Sequence, residues 1–127
     1  MLYKRKDLHR ELCVLQVSTD VLDLPGVVIA DGNAASEYTA FWPSPAGLAR
    51  VDKGLVFAEY WTDEDQIQEW HKKRVKCAEV LVPDRVVPQF IIGAYVSCSE
   101  AQNALQNVVE TNNLRLNITL NAHLFFR

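Results

Sequence analysis

Residues 99–120 read SEAQNALQNVVETNNLRLNITL, and this stretch decides the fold class. In its first part, apolar residues recur at the spacing of one helix face, after a Ser99–Gln102 pair typical of a capping box. The paired asparagines 112–113 end that pattern, and from Leu114 onward apolar and polar residues alternate as in a strand. One helix and one strand joined by a short turn therefore predict a mixed helix-and-sheet domain.

Further strands are predicted outward from this stretch, because short apolar runs lie between turn signals. Together they amount to about six strands, at 12–17, 27–30, 75–82, 90–96, 114–120 and 122–126. Strands and helices do not alternate regularly along the chain. The predicted class is therefore α+β, with a mixed, mainly antiparallel sheet and two main helices.

The second helix is predicted over 63–73, with Thr62 as its N-cap and acidic residues in its first turn. Its apolar residues Ile67 and Trp70 are expected to face the core. The preceding segments, 41–54 and 55–61, are predicted as a loop and an extended segment. These elements fill the middle of the chain without a linker.

The chain has 127 residues, a length that predicts a single domain over 1–127. Thirteen basic and sixteen acidic residues give a net charge of −3, which excludes a uniformly basic nucleic-acid binder but not a local basic patch. No apolar run has the length of a membrane helix, and no secretory signal is visible. We therefore expect no membrane association.

The cysteines Cys13, Cys77 and Cys98 are odd in number and lack CxxC spacing, which argues against a disulfide framework or a zinc site. We expect three buried, reduced thiols and a cytoplasmic protein. The three histidines show no metal-ligand spacing either, so no metal is expected.

Glu79 stands out because it lies inside an otherwise apolar strand. One interpretation is a carboxylate on a solvated sheet face. The other is a carboxylate in a cleft, able to accept a sugar hydroxyl proton or to stabilise a cation. The pattern alone leaves both open.

A basic cluster precedes that strand, formed by Lys72, Lys73, Arg74 and Lys76. It is either the ordinary positive end of a solvated helix or a patch that contacts phosphate beside Glu79. Again both interpretations remain open.

Three motifs in order resemble one known family. Residues 76–86, KCAEVLVPDRV, followed by Phe90 and Ile91, resemble the C-terminal half of the DarT-type DNA ADP-ribosyltransferase toxins. Met-Leu-Tyr at 1–3 is similar to the family's Pro-Met-Leu-Tyr segment, and Asp-Gly-Asn-Ala-Ala-Ser at 31–36 is similar to a family loop. The resemblance covers nearly the whole chain.

This resemblance implies an ADP-ribosyltransferase-like fold that binds NAD in a cleft of a split mixed sheet. It implies transfer of ADP-ribose to a base in single-stranded DNA, with loss of nicotinamide. It also implies a toxin–antitoxin system in which a macrodomain antitoxin removes the modification. Glu79 matches the catalytic glutamate, and substrate-binding roles are implied for Lys73, Arg74, Tyr3, Asn33 and Ser36.

The sequence departs from the family at two places. The family carries an N-terminal half before the Met-Leu-Tyr segment, with a histidine-containing NAD-binding strand and an arginine near the NAD phosphates. Here that segment stands at Met1, and Cys77 stands where the family tends to have glutamine. We therefore expect a truncated form or one inactive alone. The alternatives are a non-catalytic module that keeps the fold and binds nucleic acid or protein, and an oligomer formed through an exposed sheet edge.

Overall fold

The structure, a computed structural model, describes residues 2–125, and the side chains of residues 2–6 lie outside that description. In chain order, strands β1 to β6 are Val14–Val17, Val28–Ala30, Phe41–Pro43, Glu79–Leu81, Ile91–Val96 and Asn117–Leu120. Helices α1 to α3 are Lys53–Val56, Gln66–Lys76 and Ser99–Thr111. The 3₁₀ helices are Leu2–Glu11, Thr19–Asp23, Ala46–Arg50, Pro88–Phe90 and Ala122–Leu124.

The elements form two compact units. The terminal unit comprises the described residues through Ser18 and from Val87 onward, and the central unit is Thr19–Val86. Each contains one three-stranded sheet. A single domain over 1–127 stays a prediction.

The terminal unit contains a sheet of order β1-β5-β6. Strand β5 pairs antiparallel with β1 and parallel with β6, and α3 makes the crossover that a parallel pair requires. The middle strand is the most buried, with Val96 at 0% and Ala94 at 1% exposure. Ala101 and Val109 of α3 are also buried, so part of the predicted apolar helix face packs inward.

The central unit contains a sheet of order β3-β2-β4, in which β2 pairs antiparallel with both neighbours. The middle strand, β2, again lies in the core, because its residues Ile29 and Ala30 are fully buried. Val75, at the end of α2, is the helix residue that is buried. This small core supports the loop that follows β2.

The predicted fold class is confirmed. Six strands lie within residues 2–125, and three of their four pairings are antiparallel. The two longer helices lie where two were predicted. The pattern did not predict that the strands divide between two sheets, because strand partners are set by contacts distant in sequence.

The predicted start and buried face of α2 are wrong. Asp65, not Thr62, is the N-cap, since its carboxylate accepts a 2.8 Å hydrogen bond from the Ile67 N–H. Ile67 is 74% exposed and Trp70 is 46% exposed, whereas Val75 is buried. Because the helix continues to Lys76, the strand predicted over 75–82 is shortened to Glu79–Leu81.

The secondary structure predicted for three further segments also differs from the structure. Residues 122–126 were expected as a strand, but Ala122–Leu124 is a 3₁₀ helix and residue 126 lies outside the described residues. The loop at 41–54 contains β3 and a 3₁₀ helix. The extended segment at 55–61 begins inside α1, because Asp52 caps that helix through the Leu55 N–H.

The expectation of three buried thiols is wrong as well. Cys13 and Cys77 are exposed, and Cys98 is half-buried. Cys98 is also the N-cap residue of α3, so the helix begins at Ser99 and the Ser99–Gln102 pair does not form a capping box. The backbone at Cys98 is extended, which is the conformation that an N-cap adopts.

Candidate active site

Glu79 is the first residue of β4 and lies opposite Ala30, the last residue of β2. Its side chain is exposed, and its Oε2 accepts a hydrogen bond of 2.9 Å from the backbone N–H of Ala34. No residue that the structure describes donates a hydrogen bond to Oε1. The carboxylate is therefore held by the loop at one of its two oxygens.

Ala34 belongs to the loop at 31–39, which follows β2 directly and is held by its own polar groups. The side-chain oxygen of Asn33 accepts from the N–H two residues further on, at 3.0 Å. The backbone carbonyl of Asn33 accepts from the Thr39 hydroxyl at 2.7 Å, and the Ser36 hydroxyl oxygen accepts from another loop N–H at 3.3 Å. The loop therefore holds the Ala34 N–H in one orientation toward Glu79.

Asp31 closes the base of this loop. Its carboxylate accepts hydrogen bonds from the Ala40 N–H at 2.9 Å and from the Trp42 indole N–H at 3.2 Å. The guanidinium of Arg74 lies 3.5 Å from the same carboxylate. Asp31 thus ties β2, β3 and α2 together at the point where the loop begins.

Arg74 lies beneath the loop, with its side chain only 12% exposed. Its Nη1 donates to the Thr39 hydroxyl oxygen at 3.2 Å, and its backbone carbonyl accepts from the Asn33 N–H at 2.8 Å. Its Nη2 lies 3.4 Å from the His71 ring nitrogen, while its buried Nε has no hydrogen-bond partner among the described residues. The guanidinium is therefore engaged mainly with the loop.

The lysines of the basic cluster are paired within the central unit. Lys72 donates to Asp63 at 2.6 Å, and this hydrogen bond holds the pKa of the Asp63 carboxyl below its usual value. Lys73 donates to Glu69 at 2.9 Å and lowers the pKa of that carboxyl in the same way. Lys76 donates to the backbone carbonyls of residues 56 and 58. Much of the cluster's charge is thus neutralised locally.

The structure brings four of the six predicted site residues together: Glu79, Asn33, Ser36 and Arg74 belong to the loop or bond to it. Lys73 lies on α2 with its side chain half exposed, and its ammonium lies 4.6 Å from the centre of the Trp61 ring. Tyr3 belongs to the terminal unit, and its side chain lies outside the described part of the structure.

Sequence reasoning missed Asp31, Thr39 and the backbone of Ala34. Residues 31–36 are similar to a family loop, but that likeness indicates no role for the Asp31 carboxylate or for the Ala34 N–H. Nothing in the pattern points to Thr39, because its hydroxyl joins the Asn33 carbonyl to Arg74, 35 positions further along, only in the folded chain.

The part of the chain that the structure describes has no group of three or more His, Cys, Asp or Glu arranged to hold a metal ion. It also has no helix long and apolar enough to cross a membrane.

Comparisons with known proteins agree on one family. A family model described as "ssDNA thymidine ADP-ribosyltransferase, DarT" matches residues 1–126. A curated protein of Thermosipho africanus (strain H17ap60334), a "DNA ADP-ribosyl transferase-DNA ADP-ribosyl glycohydrolase fusion protein", is 30% identical over 108 residues. That match covers 83% of this chain and 26% of the relative.

Two solved structures share the fold. The structure of Thermosipho africanus DarTG in complex with ADP-ribose matches with a TM-score of 0.77 and 26% identity, covering 99% of this chain and 33% of that one. The structure of Thermus sp. 2.9 DarT in complex with NAD⁺ matches with a TM-score of 0.78 and 17% identity, covering 91% and 57%. The chain therefore spans about a quarter of the curated relative and little more than half of the Thermus protein.

Proposed function

Since the chain belongs to the DarT family of ssDNA thymidine ADP-ribosyltransferases, we propose that it transfers ADP-ribose from NAD to a thymidine base in single-stranded DNA. One observation carries the proposal: the carboxylate of Glu79 is exposed at the start of β4, and Ala34 holds one of its oxygens at 2.9 Å. The residue that matches the family's catalytic glutamate is thus oriented and open to substrate.

The proposed reaction exchanges one bond at the ribose that carries nicotinamide. The bond between the nicotinamide nitrogen and the ribose C1 carbon breaks, and nicotinamide leaves as a neutral molecule. A nucleophilic atom of the base forms the new bond to that carbon and gives up its proton. Positive charge develops on the ribose between these events, and a nearby carboxylate stabilises it.

Glu79 can act in this reaction in either of two roles. Its Oε1 can accept a hydrogen bond from a ribose hydroxyl, which orients the sugar while the nicotinamide departs. It can instead receive the proton of the base. The hydrogen bond from Ala34 to Oε2 supports either role, because it holds the carboxylate in place without occupying the other oxygen.

The donors around Glu79 fit a polar co-substrate such as NAD. The amide NH₂ of Asn33 has no partner among the described residues, since the hydrogen bond within the loop uses the amide oxygen. The Ser36 hydroxyl accepts a bond and keeps its own hydrogen to donate. We include Asn33 and Ser36 as substrate contacts, Lys73 as a phosphate contact, and Tyr3 as a further contact of the substrate.

The partner in this proposal is a macrodomain antitoxin that removes the modification. Its support is the Thermosipho relative, in which a transferase is fused to a glycohydrolase. The proposal also places the protein in the cytoplasm, where NAD and DNA are both present.

An intact-mass assay tests the proposed activity. The full chain is incubated with NAD and single-stranded oligonucleotides that contain thymidine, beside oligonucleotides without it. Glu79→Gln keeps the size of the side chain and removes its charge. Glu59→Gln is the matched control, because Glu59 is an exposed acidic residue of the same unit that makes none of the contacts described above.

We expect an ADP-ribose adduct on the thymidine oligonucleotide with the unchanged protein and with Glu59→Gln, and none with Glu79→Gln. An adduct formed equally by Glu79→Gln would remove Glu79 from the mechanism. DNA binding without any adduct, at an affinity that falls when Lys72, Lys73 and Arg74 are neutralised, would support the non-catalytic module instead.

A further inference from the structure

One peptide group connects Arg74 to Glu79. The backbone carbonyl of Asn33 accepts from the Thr39 hydroxyl at 2.7 Å, and the N–H of Ala34 donates to Glu79 at 2.9 Å. This carbonyl and this N–H belong to the same planar peptide unit and point in opposite directions. The Thr39 hydroxyl, together with the Ser36 N–H that donates to the same carbonyl at 3.0 Å, therefore also aims the Ala34 N–H at the carboxylate.

Arg74 acts on that peptide through the Thr39 hydroxyl and holds the preceding peptide through its own backbone. Its Nη1 donates to the Thr39 hydroxyl oxygen at 3.2 Å, which directs the hydroxyl hydrogen toward the Asn33 carbonyl. Its own backbone carbonyl accepts from the Asn33 N–H at 2.8 Å, which fixes the preceding peptide. The ion pair with Asp31, at 3.5 Å, holds the guanidinium itself in place.

We propose that Arg74, acting through the Thr39 hydroxyl and the Asn33–Ala34 peptide, is a positioning residue for Glu79 and does not contact the DNA phosphates. This inference rests on the proposed function for its effect on catalysis. The hydrogen bonds that it invokes can be tested without measuring activity.

The surroundings of Arg74 favour this role over a phosphate contact. Its side chain is only 12% exposed, and its charge already faces the Asp31 carboxylate. A phosphate contact needs an accessible guanidinium with free donors. Nε, one of the donors that remain, is buried, and no described residue accepts from it.

Because Nε has no partner among the described residues, Arg74→Lys is a useful variant. A buried donor without a partner is destabilising, and Arg74→Lys removes it together with the contacts of Nη1 and Nη2. Removal of the unpartnered donor therefore offsets part of the stability that is lost with the other contacts. The hydrogen bond from Nη1 to the Thr39 hydroxyl is lost. The effect on Glu79 can then be measured in a folded protein.

Steady-state kinetics with NAD and a thymidine oligonucleotide test the catalytic side. We expect Arg74→Lys and Thr39→Val to lower kcat by roughly 10- to 100-fold, with unchanged KM values. Thr39→Ser keeps the hydroxyl and should retain activity. Arg85→Gln, which removes an exposed positive charge from the same unit, is the charge control.

The salt dependence of DNA binding separates the two roles of Arg74. A positioning residue leaves the slope of log affinity against log salt unchanged, whereas loss of one phosphate contact on a single strand reduces it by about 0.7. The variant for this measurement is Arg74→Gln, because lysine would keep the charge that a phosphate contact uses. A reduced slope and a raised KM for DNA in Arg74→Gln, with kcat retained, would overturn the inference.

The NMR chemical shift of the Ala34 amide tests the geometry without any turnover. We expect the shift to move in Arg74→Lys and Thr39→Val toward its value in Glu79→Ala, and to stay in place in Thr39→Ser and Arg85→Gln. An unmoved Ala34 signal in both Arg74→Lys and Thr39→Val rejects the inference, even if the protein is active. Moved signals in a chain that makes no adduct support the geometry and reject the proposed function.

Discussion

Ala30 and Glu79 lie directly opposite one another in the antiparallel pair of β2 and β4. Directly opposed residues point to the same face of a sheet. Ala30 is fully buried and small, whereas Glu79 is exposed and long enough to reach the Ala34 N–H in the loop that begins one residue after Ala30. The register of two short strands thus sets where the carboxylate meets the loop.

Gly32 is the residue of this loop at which an added side chain would meet Arg74. A Cβ at this position would lie 2.6 Å from Arg74 Nη1 and 2.9 Å from the Thr39 hydroxyl oxygen. We expect Gly32→Ala to displace both groups, to destabilise the fold by about 1–3 kcal/mol as overpacking does, and to reduce adduct formation. Urea unfolding and the intact-mass assay measure the two effects.

Gly54 provides the control for that substitution. It lies in α1, where an added Cβ would meet only the Asp52 carboxylate at 3.3 Å. Gly54→Ala should keep or slightly raise stability, because alanine favours a helix interior. Equal losses of stability in both variants would argue against the tight packing at Gly32.

The core of the central unit depends on Ile29 and not on Ile67, although both are apolar. Ile29 is 1% exposed in the middle strand, whereas Ile67 is 74% exposed on α2. We expect Ile29→Ala to lower the free energy of unfolding by about 2–5 kcal/mol and Ile67→Ala to change it little. Urea unfolding of the two variants checks this, and a large loss in Ile67→Ala would contradict the orientation of α2.

Acid should weaken the Asp63–Lys72 pair. The hydrogen bond from Lys72 lowers the pKa of the Asp63 carboxyl in the folded protein. Its stabilising contribution is therefore fully present above the ordinary aspartate pKa and is lost as the pH falls through the lowered folded value. We expect Asp63→Asn to reduce the pH dependence of stability below about pH 5.

Urea unfolding across that pH range measures the effect, with Asp84→Asn as the control. Asp84 is 89% exposed and its nearest cation is 3.8 Å away, so its removal should leave the pH dependence unchanged. Asp84 also has a positive φ of 63°, which asparagine adopts as readily. An identical pH profile in Asp63→Asn and the unchanged protein would show that the pair contributes nothing.

Cys98 should titrate below a free cysteine. The N–H of Ala101, in the first turn of α3, stabilises the thiolate and lowers the pKa of the Cys98 thiol. In a chain carrying Cys13→Ser and Cys77→Ser, the rate of alkylation plotted against pH should reach its midpoint below that of a free thiol. The midpoint is the readout because the half-buried position slows alkylation at every pH. A midpoint at or above that of a free thiol would contradict the contact.

Much of the fold was predictable where one element supplies its own signal. The helix at Ser99–Thr111 and the strand at Ile91–Val96 lie where periodicity and apolar runs put them. The start of α2 was not predictable in this way, since Thr62 and Asp65 are both good N-caps and only the folded chain chooses between them. The burial of Val75 instead of Ile67 depends on the neighbouring sheet, which a helical period does not encode.

Motif order and local periodicity were enough to predict the family, the α+β class and the candidate role of Glu79, because both are properties of neighbouring residues. Which strands share a sheet, and the position of Arg74 beneath the loop at 31–39, are visible only in the folded chain. The hydrogen bonds that orient Glu79 join residues 35 and 45 positions apart. Such contacts produce no periodic pattern in the sequence, since each depends on strands and a helix that meet only in the folded chain.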